Sequence, residues 1–291
     1  MNAVRPYSLL ADPRVTLARP DLADAALEGV VAAERYAEPI PRQVKAPAAA
    51  LRTAPDAHAE QLDQLLFGET FHVLDEANGW GWGQADRDGY VGYVALSCLT
   101  EEVILPTHWV GTIRTYGFVE PSIRAPVTGL FSLNALATVE AVADERFVKV
   151  ARLGYVPVHH LSPIGGHLAT DPAGVAERFL GAPYLWGGRD SLGLDCSGLV
   201  QQALYACGRA CPRDSDLQQA LGAPLDVGAD LRGLKRSDLV FWKGHVGIML
   251  DAQRLLHANA HHMATVIEPL AEAVARIEAA GSGRPTAFRR L

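Results

Sequence analysis

Apolar residues along this chain change their spacing twice, and each change marks a region of different architecture. Leu22, Ala25, Ala26, Val30, Ala33 and Tyr36 recur at helical intervals. One amphipathic helix is therefore expected there, N-capped by Asp21 and ended by Pro39 and Pro41. Between about Ala46 and Ser162 the apolar runs shorten and are separated by turn residues. Examples are Phe71-His72-Val73-Leu74, Trp80-Gly81-Trp82 and Tyr90-Val91-Gly92-Tyr93-Val94, the last entered through Asp86-Arg87-Asp88-Gly89. This cadence predicts short β-strands. From His167 onward helical and strand periods mix. A helix is predicted from Asp171-Pro172 to Leu180 with Gly181 just past its end, and another from about Ser197 to Cys207, ended by Gly208. Four β-like runs follow at 239–242, 246–250, 254–258 and 265–267, then a helix over 270–280 and a strand near 287–289. Helices first and an antiparallel sheet after them make an α+β domain.

The β region also repeats itself. Phe147 follows Trp82 by 65 residues, and Gly154-Tyr155-Val156 and Leu161 stand at the same offset from Gly89-Tyr90-Val91 and Leu96. A fixed offset at three landmarks reads as a duplicated unit of about five short strands, hence two tandem SH3-like barrels. One larger β-sandwich with chance similarity is the alternative. The expected organisation is multidomain: a helical N-terminal extension over 1–45, a first small all-β barrel over 46–103, a second over 104–163, and the α+β domain over 164–291.

Composition narrows the partners. A chain of 291 residues with 49% hydrophobic content supports several cores. A net charge of -7 and no block of Lys or Arg leave no electrostatic footprint for nucleic acid or an anionic membrane. A small or peptidic partner is expected, and composition assigns no oligomeric state. The early apolar run spans only residues 7–11 before Asp12 and Pro13 break it, and no stretch is long and apolar enough to cross a bilayer. These features predict a soluble, cytoplasmic protein. Four cysteines in a chain of this size make no disulfide framework. Cys98, Cys207 and Cys211 read as small buried hydrophobes.

Cys196 is different. A loop containing glycines and Asp195 precedes it, and Leu199, Val200, Ala203 and Leu204 follow at helical spacing, so it stands where a helix begins. Unpaired amides and the helix dipole favour negative charge there. With a neighbouring imidazolium, a thiol pKa can fall from about 8.5 to ~3.5–7.5, and the same amides can bind an oxyanion. His245 and His257 lie in two β-like runs that flank a turn at Asp251-Ala252-Gln253. A turn centred on Ala252 or just before it sets His245 opposite a residue between His257 and Asn259. Directly opposed Cβ atoms lie roughly 4.5–5.5 Å apart, so the two rings can touch. His245 is assigned as base and His257 as its orienter, with Asn259 as the orienter if the hairpin slips by one residue. Among ten histidines an isolated one is usually structural. His261 and His262 raise the question of a metal, but no ligand-pair spacing supports one, and Cys207 with Cys211 makes no stronger case as a redox pair. Asp195 either pairs with a substrate ammonium or merely caps the Cys196 helix.

Tyr184-Leu185-Trp186-Gly187-Gly188, six residues, Asp195-Cys196-Ser197-Gly198, then Gly244-His245-Val246-Gly247-Ile248 and Leu256-His257-Ala258 together resemble the NlpC-type cysteine peptidases of bacterial cell-wall metabolism. The resemblance covers about residues 170–291. The preceding barrels are similar to the bacterial SH3-like domains that accompany a subset acting on cell-wall peptides during turnover and recycling. The resemblance implies a papain-like fold, no cofactor, and cleavage of the bond between γ-D-glutamyl and an L-diamino acid, diaminopimelate or lysine, in peptidoglycan-derived peptides. It makes Cys196 the nucleophile, His245 the base, His257 the third member and Tyr184 a contributor to the oxyanion site. Trp186, Asp195, Ser197, Asp214 and Ser215 match positions lining the substrate groove. Glu69 and Tyr90, from the first barrel, match residues that close one end of the groove and read the free amine of an N-terminal L-alanine. The rivals are an amidase or acyltransferase of the same superfamily and a non-catalytic wall-peptide binding protein. Cysteine before histidine in the chain argues against the circularly permuted, lipid-directed branch, and the intact Cys-His-His set argues against a dead site.

Overall fold

In the computed structural model, residues 12–166 and 168–291 are described; the apolar run 7–11 and His167, where the change of period begins, lie outside the described residues. The chain forms two units, one of residues up to Val110 with Thr115–Ile164, the other of Gly111–Arg114 with Gly165–Leu291.

In the first unit the alternating runs become a seven-stranded antiparallel sheet. Its order is Gln61–Leu66, Ala48–Arg52, Val91–Ala95, Trp80–Ala85, Thr70–Ala77, Ile40–Val44 and Leu99–Thr100. Leu51, Leu65, Phe71, Val73, Val94 and Leu99 bury one face of these strands in a common cluster. The hairpin at Asp86-Arg87-Asp88-Gly89 forms as expected. Asp88 Oδ1 accepts from the Tyr90 amide at 3.1 Å, and Gly89 takes a φ of 78°, which costs glycine nothing. A five-stranded sheet follows, in the order Val127–Ser132, Arg114–Phe118, Gly154–Pro157, Phe147–Val150 and Val139–Val142, with a three-stranded sheet of Leu136–Ala137, His108–Val110 and Leu161–Pro163. Phe131, Val148, Val150, Leu153 and Val156 share a second cluster with Leu66 and Phe67.

The repeat is visible as order of elements, but its offset is not constant. A hairpin, a 3-10 turn and a short strand succeed one another twice, ending in Leu96–Cys98 with Leu99–Thr100 and in Val158–His160 with Leu161–Pro163. Leu161 is thus the counterpart of Leu99, not of Leu96. The second hairpin turns more tightly, with Val150 paired to Gly154, whereas the innermost pair of the first is Gln84 with Val91.

The helix expected between Leu22 and Tyr36 is absent. Ala23–Asp24 and Tyr36–Ala37 pair in parallel around a 3-10 turn at Ala25–Leu27. Packing overrides the stripe. Leu17 and Leu22 bury against Trp82 and Val91, Arg19 stacks 4.2 Å above the Trp82 ring, and Gly29 breaks the run at a φ of 77°. Val30, a member of the stripe, is left 56% exposed. Pro41, expected to end a helix, lies in Ile40–Val44 opposite His72, so the first sheet begins before residue 46.

The second unit has four helices among the described residues: α1 (Pro172–Glu177), α2 (Cys196–Ala206), α3 (Ser215–Gln218) and α4 (Leu270–Ala279). Its sheet of six strands runs in the order Ala223–Pro224, Ala287–Arg290, Leu239–Trp242, His245–Met249, Arg254–Asn259 and Ala264–Pro269, all paired antiparallel. The α+β arrangement is as expected. Helix α1 ends three residues early because its last turn tightens to i→i−3 bonds, Phe179 N to Ala176 O and Leu180 N to Glu177 O; Gly181 still follows at a φ of 80°. Helix α4 packs its Leu270, Ala273, Val274 and Ile277 against Val240, Trp242, Met249 and Leu255 of the sheet. Every residue of α2 is buried, which is why its apolar pattern has no polar face. The amide groups of Gln201 and Gln202 are accommodated by bonds to the Tyr205 hydroxyl at 3.0 Å and the Arg189 carbonyl at 2.7 Å.

The first turn of α2 passes close against the preceding loop. A Cβ on Gly198 would collide with the Gly188 carbonyl oxygen and lie 3.1 Å from Arg189 Cβ. Gly198→Ala is therefore expected to lower stability by about 1–3 kcal/mol, read as a lower urea midpoint at an unchanged m-value.

Candidate active site

Cys196 is the first residue of α2, and the residue before it anchors the whole turn. Asp195 caps the helix: its Oδ1 accepts from the Gly198 amide at 2.8 Å and the Ser197 hydroxyl at 3.1 Å, and its Oδ2 accepts from the Gly187 amide at 2.9 Å. Arg213 donates to both oxygens, at 3.0 and 2.6 Å, and to Ser197 Oγ at 2.7 Å. Arg213 is 1% exposed and Asp195 6%. A carboxylate offers about four acceptor positions, and this one receives five donors. The ammonium pairing expected of Asp195 thus has no acceptor left; the cap reading is the one that the structure realises, with a counter-ion added. Gln218 of α3 donates to the Ser197 and Pro212 carbonyls at 3.0 and 2.9 Å. This ties the run carrying Asp214 and Ser215 to the first turn of α2. Asp214 occupies the N-cap position of α3 and Ser215 is 8% exposed. Tyr184 is placed by its amide bond to the Met263 carbonyl at 3.0 Å, and Trp186 stands 58% exposed on the same loop.

The histidines meet, but not as a directly opposed pair. Ile248 pairs with Leu256 and Met249 with Leu255, a register that sets Gly247 opposite His257 and His245 opposite Asn259. The two rings touch along the diagonal, His245 Nε2 lying 2.8 Å from His257 Nδ1. Diagonal neighbours are within reach of aromatic side chains, and Gly247 leaves the path open. A Cβ there would fall 2.6 Å from Leu255 Cδ1 and 3.2 Å from His257 Cβ. Trp242 opposes His245 across the other hairpin, with ring centroids 5.6 Å apart. Asn259 is not the orienter, because its Oδ1 is engaged by the His262 amide at 2.8 Å and ring at 3.0 Å.

Beyond His257 the chain of contacts continues to residues that the sequence reading passed over. His257 Nε2 lies 2.6 Å from Glu268 Oε1, and Arg276 of α4 pairs with the same oxygen. Glu268 is two residues beyond Val266, the partner of His257, and so faces the same side of the sheet. The predicted strand stopped at residue 267, one short of it. Arg213 was visible only as part of a run, with nothing local to show that it turns inward.

Burial, rather than the helix end, sets the protonation of the site. It pushes the Cys196 thiol up to about 12, the Asp195 charge adds to this, and bonds from the Val246 and Ser197 amides only partly oppose it. The lowered thiol expected at a helix N-terminus is thus reversed. Burial likewise drives His245 down to about 3, with His257 and Arg276 contributing, and lowers His257 despite Glu268. The resting site is a neutral thiol beside neutral imidazoles. Tyr184 is raised mainly by burial, with the Asp195 charge adding to it, which keeps its phenol a proton donor. Burial opposes ionisation of Glu268, but its bonds with His257 and Arg276 outweigh that and hold it at about 2.

Glu69 and Tyr90 lie in the first unit. Glu69 is 2% exposed, its Oε2 accepting from the Leu66 amide at 3.0 Å and its Oε1 from Arg87 at 2.9 Å. Tyr90 is 3% exposed within the core of the seven-stranded sheet. Neither is an ordinary surface residue. Among the described residues no group of three or more His, Cys, Asp and Glu side chains is arranged to hold a metal; His261 and His262 pack edge to face, 4.7 Å apart. No helix among them is long and apolar enough to cross a membrane.

Two family models match stretches of this chain. One, described as the NlpC/P60 family, covers residues 181–278; the other, described as the bacterial dipeptidyl-peptidase Sh3 domain, covers residues 51–99. The chain is 28% identical over 232 residues to dipeptidyl-peptidase 6 of Lysinibacillus sphaericus, spanning 72% of this chain and 84% of that protein. It is 30% identical over 220 residues to the gamma-D-glutamyl-L-lysine dipeptidyl-peptidase of Bacillus subtilis strain 168, spanning 67% and 71%. The crystal structure of an NlpC/P60 family protein from Bacillus cereus has the same fold, with a TM-score of 0.72 over 86% of this chain and 99% of that one at 21% identity.

Two pH dependences follow from the buried groups. With the thiol raised, alkylation of Cys196 by iodoacetamide is expected to accelerate continuously from pH 6 to 9; a plateau already reached below pH 6 would instead reveal a thiolate-imidazolium pair. His245 titrates near 3 when folded against 6.5 when unfolded, so below pH 6.5 the unfolded chain binds a proton that the native state refuses. Stability contributed by the neutral ring is complete above 6.5 and declines toward pH 3, by at most about 1.4 kcal/mol per pH unit. The unfolding midpoint of His245→Gln is expected to fall less steeply than that of the wild type across this window.

Proposed function

The chain belongs to the NlpC/P60 family of peptidases, with an SH3 domain ahead of its hydrolase unit, and from that premise we propose that it cleaves the bond between γ-D-glutamate and an L-diamino acid, diaminopimelate or lysine, in peptidoglycan-derived peptides. The observation that carries the reading is Cys196 at the first position of α2 together with the His245 to His257 bond of 2.8 Å in the same unit. The name of the Bacillus subtilis relative, a gamma-D-glutamyl-L-lysine dipeptidyl-peptidase, supports the substrate class.

In this mechanism Cys196 Sγ attacks the γ-carbonyl of D-glutamate. His245 Nε2 is committed to His257, which leaves Nδ1 to take the thiol proton as the carbon-sulfur bond forms. The oxyanion is held by the Cys196 amide and the Tyr184 hydroxyl. His245 then delivers the proton to the departing amine of the diamino acid. Water, activated by the same nitrogen, hydrolyses the thioester and restores the thiol. Because the resting groups are neutral, proton transfer accompanies attack instead of preceding it.

Two tandem SH3-like barrels precede the peptidase domain in this reading. Trp186, Ser197, Asp214 and Ser215 line the groove in this reading, with the Ser197 hydroxyl held between Asp195 and Arg213. Recognition of the free amine of an N-terminal L-alanine is assigned to Glu69 and Tyr90 on the strength of the resemblance. Such an activity suits turnover or recycling of wall peptides in the cytoplasm.

The test is release of free diamino acid from L-Ala-γ-D-Glu-meso-diaminopimelate, its lysine analogue and the N-acetylated form of each. Cleavage of the free-amine peptides alone is expected, with Cys196→Ala losing activity by at least about 10⁴-fold. Equal cleavage of the acetylated forms would remove the amine-reading role of Glu69 and Tyr90. Activity on none of these peptides would move the assignment to an amidase or a binding protein.

A further inference from the structure

Two neutral imidazoles joined by one hydrogen bond can be arranged in two ways, and only one of them makes a base. If His257 carries its proton on Nδ1, it donates to His245 Nε2, and His245 must then hold its own proton on Nδ1. The nitrogen left to face sulfur is an N–H and accepts nothing. If His257 carries its proton on Nε2, its Nδ1 accepts from the His245 Nε2–H, and His245 Nδ1 presents a lone pair. The 2.8 Å separation of the rings is equally compatible with both.

Glu268 breaks the tie. Its Oε1 lies 2.6 Å from His257 Nε2, and a carboxylate only accepts, so that nitrogen must carry the proton. Arg276, from the last turn of α4, pairs with the same oxygen. It is the group that keeps Glu268 an acceptor, since a protonated carboxyl could donate and restore the ambiguity. The charged and titratable groups around the histidine pair are Glu268 on the neighbouring strand, Arg276 on α4 and His262 beyond the strand end, with Cys196 and the neutralised Asp195-Arg213 pair at the α2 end. Of these, Glu268 is the acceptor in contact with His257 Nε2. His257 is 0% exposed and Glu268 13% at the side chain, so solvent contributes little to the choice of proton position.

We propose that Glu268, clamped by Arg276, is a positioning residue that selects the tautomer of His257 and through it that of His245, making His245 Nδ1 the acceptor of the Cys196 proton. This rests on the reading of Cys196 as nucleophile and His245 as base. It extends the site to five residues, Cys196, His245, His257, Glu268 and Arg276, drawn from α2, three adjacent strands and α4.

The discriminating experiment is ¹⁵N NMR of the imidazole rings in the resting protein, which requires no substrate. Both histidines of the wild type are expected as Nε2–H tautomers. In Glu268→Gln the side-chain amide can donate to His257 Nε2, and a population with Nδ1–H on both rings is expected to appear. On whichever peptide the wild type cleaves, kcat of Glu268→Gln is expected to fall by about 10²–10⁴-fold with KM within threefold, and Glu268→Asp to recover part of that loss. An Nδ1–H tautomer on His257 in the wild-type protein overturns the proposal without reference to any variant's folding. So does a folded Glu268→Gln that keeps kcat within threefold. Activity surviving in Cys196→Ala would instead overturn the nucleophile reading and leave the tautomer result standing.

Discussion

The buried ion pair between Asp195 and Arg213 is the constraint on which the site depends. It sits next to Cys196 in the chain, and its carboxylate joins three separate pieces of chain: the Gly187 loop, the first turn of α2 through the Ser197 hydroxyl and the Gly198 amide, and the segment leading to α3 through Arg213. Removing one partner of such a pair leaves an uncompensated charge and typically costs about 3–5 kcal/mol. The arrangement holds because every acceptor position is filled, which is the condition under which buried charge is tolerated. Position, not acidity, is what it confers on Cys196. The same carboxylate that ends the loop and caps the helix also adds to the rise of the thiol, and Arg213 offsets only part of that.

Where the loop and α2 place Cys196, the sheet places the two histidines. Antiparallel pairing puts His257 opposite Gly247, where the missing side chain opens a diagonal route to His245. Trp242 backs His245 on one side, and His257 continues the contact to Glu268 on the other. Each ring is therefore held between two neighbours. Arg276 extends this to α4, whose apolar face is packed into the core of the sheet. A helix docked for reasons of burial thus carries the cation that pairs with Glu268.

Much of this was legible from residue order. The alternation of short runs around Asp86-Arg87-Asp88-Gly89, the apolar periodicity of the buried α2, and the four β-like runs with their closing helix are local patterns, and the structure reproduces them within one to three residues. The N-terminal stripe failed for a physical reason. Leu22 gains more by burial against Leu17, Trp82 and Val91 than an isolated, glycine-interrupted helix could supply, since short helices are marginal without packing. The constant offset between the β modules also gave way, because hairpin length is free to vary while the order of elements is kept.

From the sequence by itself came the place of Cys196 at the start of a helix, the contact of the histidine pair and the division into β-rich and α+β regions. These depend on neighbours within a few residues or on one hairpin, interactions that spacing encodes directly. Only the tertiary structure decided the protonation of Cys196, the inward turn of Arg213, the diagonal geometry of the histidines and the place of Glu268 and Arg276 behind them. Those depend on depth of burial and on which surfaces of distant segments meet, and a one-dimensional pattern carries neither: the same Asp195 that spacing allows to face a substrate is committed by packing to an arginine 18 residues away.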